Sequence, residues 1–345
     1  MARRFVVDTD MGVDDALAVA WLATQEEREI ELLGVSAVWG NTSVGDATRN
    51  VFALLAALQR DDVPVAAGVA GPLEGTRSRI GALVHGPDGM WGSGAGVDAS
   101  RAERDVVAFY RSLPTEGATL LALGPLTNLA AVVRADPGAL RRFERIVVLG
   151  GAKHHGSMTP VSETNFWHDP QAADVVLAAR LPITLVTRDA HRAFALTLED
   201  LAALRSGERA VARFLAEPAA RYADVTRRFG EALNYPDVVA AAVALDASAA
   251  TDVRPALVRV VTGPEPLTRG QSIIGLSPSE RLTMVEGGLA VSELIESALT
   301  TPGFDVRAAF GAALAREPEN AHVVLAVDAD RVRSSFMRAM TRSGR

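Results

Sequence analysis

Apolar runs in this chain are repeatedly followed by stretches of helical periodicity, and the runs themselves carry no polar alternation. "RFVV" leads into "DDALAVAWLAT", "IELLGVSAVWGN" into "VGDATRNVFALLAAL", and "ATLLALG" into "PLTNLAAVVRA". Farther on, "RIVVLGG" precedes "DPQAADVVLAA" and "LPITLVTRD" precedes "TLEDLAALRS". A strand that is apolar at every position must be covered on both faces, which is the condition of a parallel sheet flanked by helices. Sustained from Phe5 to about Leu204, the pattern predicts an α/β fold built on a mostly parallel sheet. After Ser206 the sequence turns helical, a further strand is expected near "ALVRVVTG", and the end reads as a basic surface helix, "DADRVRSSFMRAMTRSGR". No low-complexity linker or internal repeat interrupts it, so a single domain over residues 1–345 is expected. Ligands of open α/β sheets bind beyond the carboxyl ends of the strands. Polar residues collect there: "DTDMGVDD" after the first strand, "WGN" after the second, "GPLTN" and "GGAKHHGSMTPVSETN" after later ones.

Composition narrows the chemistry. There are no cysteines, which excludes thiolate metal sites, disulfides and cysteine nucleophiles, so any metal must be held by oxygen or imidazole. A net charge of −7 gives no reason to expect nucleic acid or an anionic membrane as partner. No apolar run reaches the ~18 residues of a membrane span, and the first residues lack the pattern of a signal peptide; a cytoplasmic protein is expected. Lys153 is the sole lysine, hence the sole candidate for mechanisms that need one.

Four aspartates, Asp8, Asp10, Asp14 and Asp15, crowd between the first strand and its helix. Asp14 alone is explained as a helix-start carboxylate, a placement worth roughly 0.3–1 kcal/mol. Asp8 and Asp10 are not, because they end a buried strand, and like charges desolvated together cost several kcal/mol unless compensated. A hard divalent cation, Ca²⁺ or Mg²⁺, would compensate them, with Gly12 allowing the turn that folds the helix start back. "NYPDVVAAA" adds Asp237, another aspartate opening an apolar helix, and "LALGPLTNLA" adds strand-end carbonyls.

"VVDTDMGVDDALA" resembles the aspartate motif that opens the inosine–uridine type nucleoside hydrolases. The resemblance continues through "WGN", "HGPDG", "LGPLTNLA", "TPVSETNFWHDPQAA" and "PDVVAAAVAL", in the family's order, over about the first two-thirds of the chain. It implies a Ca²⁺-dependent enzyme that cleaves the N-glycosidic bond of ribonucleosides, and it implies a homodimer or homotetramer. By position, Asp10, Asp15 and Asp237 would hold the calcium with the carbonyl of Leu123, Thr127 being the alternative. Asp10 would also be the general base, and Asp8 would support the site from behind. Asp14, Asn41, Ser157, Glu163 and Asn165 would bind the ribose. An oxocarbenium-like transition state fits such a carboxylate-rich site.

Three positions depart from the family pattern. Pro236 stands where inosine–uridine members carry a histidine able to protonate the departing base. Ser157 replaces an asparagine, and Met11 replaces a proline, which reads as a backbone adjustment. His85 and Trp91 are the candidates for the base side; Trp91 as a stacking partner gives a slight lean to purine nucleosides. Trp39 and Trp167 lie in neighbouring motifs, with Trp167 read as core or rim. His154 and His155 read as loop histidines, since adjacent extended residues point opposite ways. "WGSGAG" lacks the strand and helix of a phosphate loop. Two other classes compete: an Asp-x-Asp phosphatase, which leaves Asp14, Asp15 and "ETN" unexplained, and a nucleoside- or ribose-binding protein without turnover. A hydrolase of another N-ribosyl compound is the third alternative.

Overall fold

The computed structural model describes residues 2–25, 30–230 and 232–342. Nine strands form one sheet among the described residues: β1 (Arg3–Thr9), β2 (Ile30–Ala37), β3 (Val65–Ala67), β4 (Thr119–Ala122), β5 (Arg145–Leu149), β6 (Ile183–Val186), β7 (Ala250–Val260), β8 (Ser272–Gly275) and β9 (Ala321–Val327). Their order is β3-β2-β1-β4-β5-β6-β9-β7-β8. β1 to β6 and β9 run parallel, and only β7 pairs antiparallel, with β9 and β8. The mostly parallel sheet expected from the apolar runs is therefore present. The strand order reverses between β1 and β4, although both strands run parallel, and this is the kind of switch point at which open α/β sheets place their ligands.

Alternate side chains of the buried strands feed two cores. Phe5 and Val7 point into one with helices Val13–Ala23, Ala210–Arg228, Pro236–Leu245 and Ala329–Thr341. Val6 points into the other with helices Val106–Ser112, Thr127–Ala135 and Pro170–Ala178. Helices 13–23 and 236–245 are buried almost throughout, which explains their apolar, unstriped sequences. Both open at the sheet's carboxyl edge, where Asp14, Asp15 and Asp237 occupy their first turns. Pro236 takes the first position of its helix, where its fixed φ suits the start and its missing N–H costs nothing.

The strand expected near "ALVRVVTG" is β7, and the terminal basic helix is Ala329–Thr341. An excursion of three helices, Pro278–Met284, Leu289–Thr300 and Val306–Arg316, was not anticipated; it has a small core of its own around Leu282, Val285, Ala290 and Ala313. No described helix is long and apolar enough to cross a membrane.

Candidate active site at the sheet's carboxyl edge

Thr9 ends β1 and its hydroxyl donates to Asp15, while the Met11 N–H donates back to Thr9 Oγ1 (3.0 Å). The Gly12 N–H (2.9 Å) and the Asn41 side-chain amide (3.1 Å) also donate to Asp15. Asp10 accepts from the Asn41 N–H (2.6 Å) and shares a hydrogen bond with Asp15. The glycine of this turn works differently from the sequence expectation. Gly12 is extended (φ −78°), and the left-handed residue is Met11 (φ 38°). Gly12 is required by proximity: a Cβ there would lie 2.5 Å from Asn41 Nδ2 and 2.6 Å from His85 Nδ1. Met11 is more than an adjustment, because a proline ring cannot take a positive φ.

Asp14, Asp15 and Asp237 bring one carboxylate oxygen each within 4.8 Å of one another. Asp10 adjoins this trio through Asp15. All four are buried, and the Oδ1 atoms of Asp14 and Asp237 have no hydrogen-bond partner. Burial, then neighbouring carboxylates, push Asp10 and Asp237 well above the usual carboxylate range and Asp15 to about 6. Crowded oxygen donors, unpartnered and desolvated, form a set that a hard divalent cation fits. Two glycines wall Asp10 in: a Cβ on Gly40 would fall 2.0 Å from its Oδ2, and one on Gly124 would fall 3.1 Å from its Cβ.

Asp8 lies on the opposite face of β1, opposite Ser36 in register. Its Oδ2 accepts from Ser36 Oγ (2.5 Å) and Asn128 Nδ2 (2.7 Å), and Tyr110 lies at 3.5 Å; burial raises its carboxyl to about 6. The Leu123 carbonyl at the end of β4 accepts from Asn165 Nδ2 (2.6 Å), which also reaches the Leu149 carbonyl (3.1 Å) at the end of β5. The Thr127 hydroxyl faces elsewhere, between Trp39 Nε1 (2.9 Å) and Asp169 (2.7 Å). Glu163 caps helix Thr164–His168 and accepts three main-chain N–H groups, from Gly151 (2.9 Å), Asn165 (2.9 Å) and Phe166 (3.2 Å). Burial raises its carboxyl, opposed by those bonds and by Arg188. Ser157 is exposed and bonded to Thr164 Oγ1 (2.7 Å). The segment carrying it is fastened outside by Lys153, whose Nζ meets the Ile274 carbonyl (2.6 Å) and Glu280 (2.9 Å).

On the other side of Asp14 lies His85, whose Nδ1 accepts the Val13 N–H (3.1 Å) and is 3.7 Å from Asp14. Burial lowers its pKa, so it stays neutral. Its ring meets Tyr222 at 5.2 Å, and Tyr222 meets Tyr235 at 5.0 Å. The Tyr222 hydroxyl donates to the Asn234 carbonyl (3.1 Å), and Asn234 Nδ2 donates to the His191 carbonyl (2.9 Å). Trp91 is packed against Gly86, and the Arg221 guanidinium lies over its ring at 5.7 Å. Trp39 is fully buried, and His154 and His155 are exposed, as expected of loop histidines.

A family model described as inosine–uridine preferring nucleoside hydrolase matches residues 5–334. The chain belongs to that family. This is an enzyme family, and the match extends well past the two-thirds of the chain that carry the visible motifs. Among curated relatives, a probable uridine nucleosidase 1 of Oryza sativa subsp. japonica is 34% identical over 64% of this chain and 69% of its own length. Uridine nucleosidase 1 of Arabidopsis thaliana is 38% identical over 53% of this chain, but the match spans little more than half of that protein, 56%. A solved plant nucleoside hydrolase superposes over 99% of both chains with a TM-score of 0.77 at 26% identity.

Within this nucleoside hydrolase, the carboxylate cluster was visible in the sequence, whereas Tyr222 and Tyr235, which stack in line with His85, and the His191–Asn234 contact were not singled out. Tyr222 sits in a 19-residue amphipathic helix, where an aromatic residue at a buried position reads as core. The absence of a proton donor at Pro236 was the only signal pointing to that wall.

Proposed function

We propose that this family member hydrolyses the N-glycosidic bond of ribonucleosides, with calcium as its resident ion. The observation that carries the reading is the set of buried, partly unpartnered carboxylates of Asp10, Asp14, Asp15 and Asp237 at the switch point of the sheet. Asp10, Asp15, Asp237 and the Leu123 carbonyl would hold the ion, which, when bound, keeps the carboxylates ionised, grips the ribose diol and acidifies water. Asp10 takes the proton of the attacking water. Its fixed position beside Gly40 and Gly124 keeps it aligned, and alignment of this kind is a large part of catalysis. Asp14, Asn41, Glu163, Asn165 and Ser157 would bind the ribose, with the Asp14 and Glu163 carboxylates stabilising the positive charge that develops on it; Ser157, exposed and bonded to Thr164, would have to turn inward to do so. Asp8 anchors β1 to β2 and the 127–135 helix from behind.

For the base, we favour uridine. A purine lean rested on Trp91 as a stacking surface, and the packing of that ring against Gly86 and under Arg221 removes its support. The names of the aligned plant relatives favour uridine too. A cytoplasmic homo-oligomer is part of the same proposal. Ribose release from uridine, cytidine, inosine, adenosine and p-nitrophenyl riboside, before and after calcium stripping, tests it. Calcium-dependent turnover with uridine foremost is the expected result; calcium binding without turnover of any riboside would sink it in favour of a binding protein.

A further inference from the structure

The segment between β3 and helix Ala82–His85 is fastened at both ends and open in its middle. The Val69 N–H donates to Asn128 Oδ1 (2.8 Å), and the Leu73 N–H donates to Asp169 (3.0 Å). At the far end Gly81 presses on the main chain of Asn41, where a Cβ would fall 2.6 Å from the Asn41 Cα. Between these ties the exposed Arg77 and Arg79 line a cleft of about 300 Å³, whose other side is formed by Asn41, Thr42 and Ser43. Neither arginine side chain has a hydrogen bond or an ion pair to any described residue.

The facing side offers donors as well. Ser43 opens helix Val44–Ala57 and caps it by accepting the Asp46 N–H (3.1 Å), while the Val44 and Gly45 N–H groups have no acceptor among the described residues. Thr42 is only 8% exposed. Its methyl is turned to Gly89, where a Cβ would lie 2.9 Å from Cγ2, and its hydroxyl, left for the cleft, has no partner among the described residues. The Asp46 carboxylate, also on the lining, is closed by the Ser43 hydroxyl (2.5 Å) and the Arg49 guanidinium. What remains open is two guanidinium groups, main-chain amides and a buried hydroxyl, a set rich in donors and short of free acceptors. An oxyanion satisfies such a set, and arginine forks beside a helix start suit phosphate in particular.

We propose that this cleft, between Arg77, Arg79 and the Thr42–Ser43 helix start, binds a phosphate group. Asn41 is the wall it shares with the carboxylate cluster, since the Asn41 N–H donates to Asp10 (2.6 Å) and its side-chain amide to Asp15 (3.1 Å). Two sources present the same chemistry: free phosphate, and the phosphate ester of a ribonucleotide whose sugar lies against the other side of Asn41. The second source rests on the reading of Asn41 as a ribose ligand; the first does not.

The test is calorimetric titration with inorganic phosphate of the calcium-loaded protein, freed of excess calcium, and of the calcium-stripped protein. A saturable site is expected in both. The double variant Arg77→Gln/Arg79→Gln should weaken it about 10-fold or more, and Thr42→Val about threefold or more. Arg180→Gln, which removes a charge just before β6 at the amino edge of the sheet, should change affinity by less than about twofold. Absence of saturable binding overturns the proposal, as does unchanged affinity in the double variant or an equal loss in Arg180→Gln. Binding that follows calcium and ignores the arginines puts the anion on the ion and overturns it too. Uridine 3′- and 5′-monophosphate then separate the sources. A nucleotide that binds more tightly than both phosphate and uridine, and loses that advantage in the double variant, assigns the cleft to a nucleotide. Phosphate that binds at least as tightly as either nucleotide assigns it to the free ion. None of these readouts needs turnover, so a wild type that releases no ribose refutes the functional reading and leaves this test standing.

Discussion

Asp10, Asp15 and Glu163 each accept hydrogen bonds from main-chain N–H groups, and Asn165 ties the ends of β4 and β5 together. Tyr222, Asn234 and Tyr235, by contrast, send their side-chain donors to carbonyls of helices and connecting segments. On the proposed reading the sugar half is therefore a template cut into the sheet edge, and the base half is a wall of side chains leaning on one another. In that proposal the template carries the reaction, and Pro236 on the wall stands where the family resemblance implies a histidine.

The comparison is broken first by Asp10→Asn, which removes the proposed proton acceptor without changing its shape. Its kcat should fall by ~10²–10⁴ on p-nitrophenyl riboside, a substrate that makes no demand on the base side. A loss of less than about tenfold would show that another group takes the proton. Next comes Gly40→Ala, whose Cβ would land on Asp10 Oδ2. A misplaced catalytic group of this kind costs about 10²-fold in kcat, and calcium titration should show a weaker site; full activity would mean that the template is softer than described.

A third measurement separates the halves by pH. In metal-free protein, Asp15 is raised from 3.8 to about 6, and Asp10 and Asp237 shift in the same direction. A raised carboxyl binds more protons folded than unfolded, so its stabilisation is complete below the unfolded value and is lost as pH rises through the folded one. The melting temperature of calcium-stripped protein should therefore fall by on the order of several °C between pH 5 and pH 8. Calcium should abolish the trend, and a flat profile without calcium would contradict the buried-charge account. The smallest effect is expected from Arg221→Ala on the wall. Loss of its contact with Trp91 is worth about 0.5–1 kcal/mol, so kcat on p-nitrophenyl riboside should stay within about fivefold.

What could be read from the sequence follows the same division. Unalternated Val, Ile and Leu runs announce a doubly covered parallel sheet, and carboxylates at strand ends have no cheap alternative explanation, so Asp10, Asp15 and Asp237 stood out. β8 is only four residues long, and the 278–316 excursion has a sparse core, so neither stands out by pattern. Arg188 and His191 lie in a four-residue helix whose meaning depends on what β6 places beside it. Asn234 and Tyr222 meet only through tertiary packing. The role of Gly12 was misread because a glycine needed for closeness looks, in sequence, the same as one needed for a turn.

Lys153 carries a consequence for how the pocket can be watched. Its amine is the sole lysine side chain of the chain, and it clasps Glu280 and the Ile274 carbonyl. An acylating reagent can reach the lone pair only when that clasp opens and the ammonium sheds a proton. The rate of acylation at Lys153 thus clocks the opening of the clasp beside the segment that runs from Gly151 to Glu163. Slowing of that clock by a bound riboside would report the segment settling on the sugar, with no probe installed.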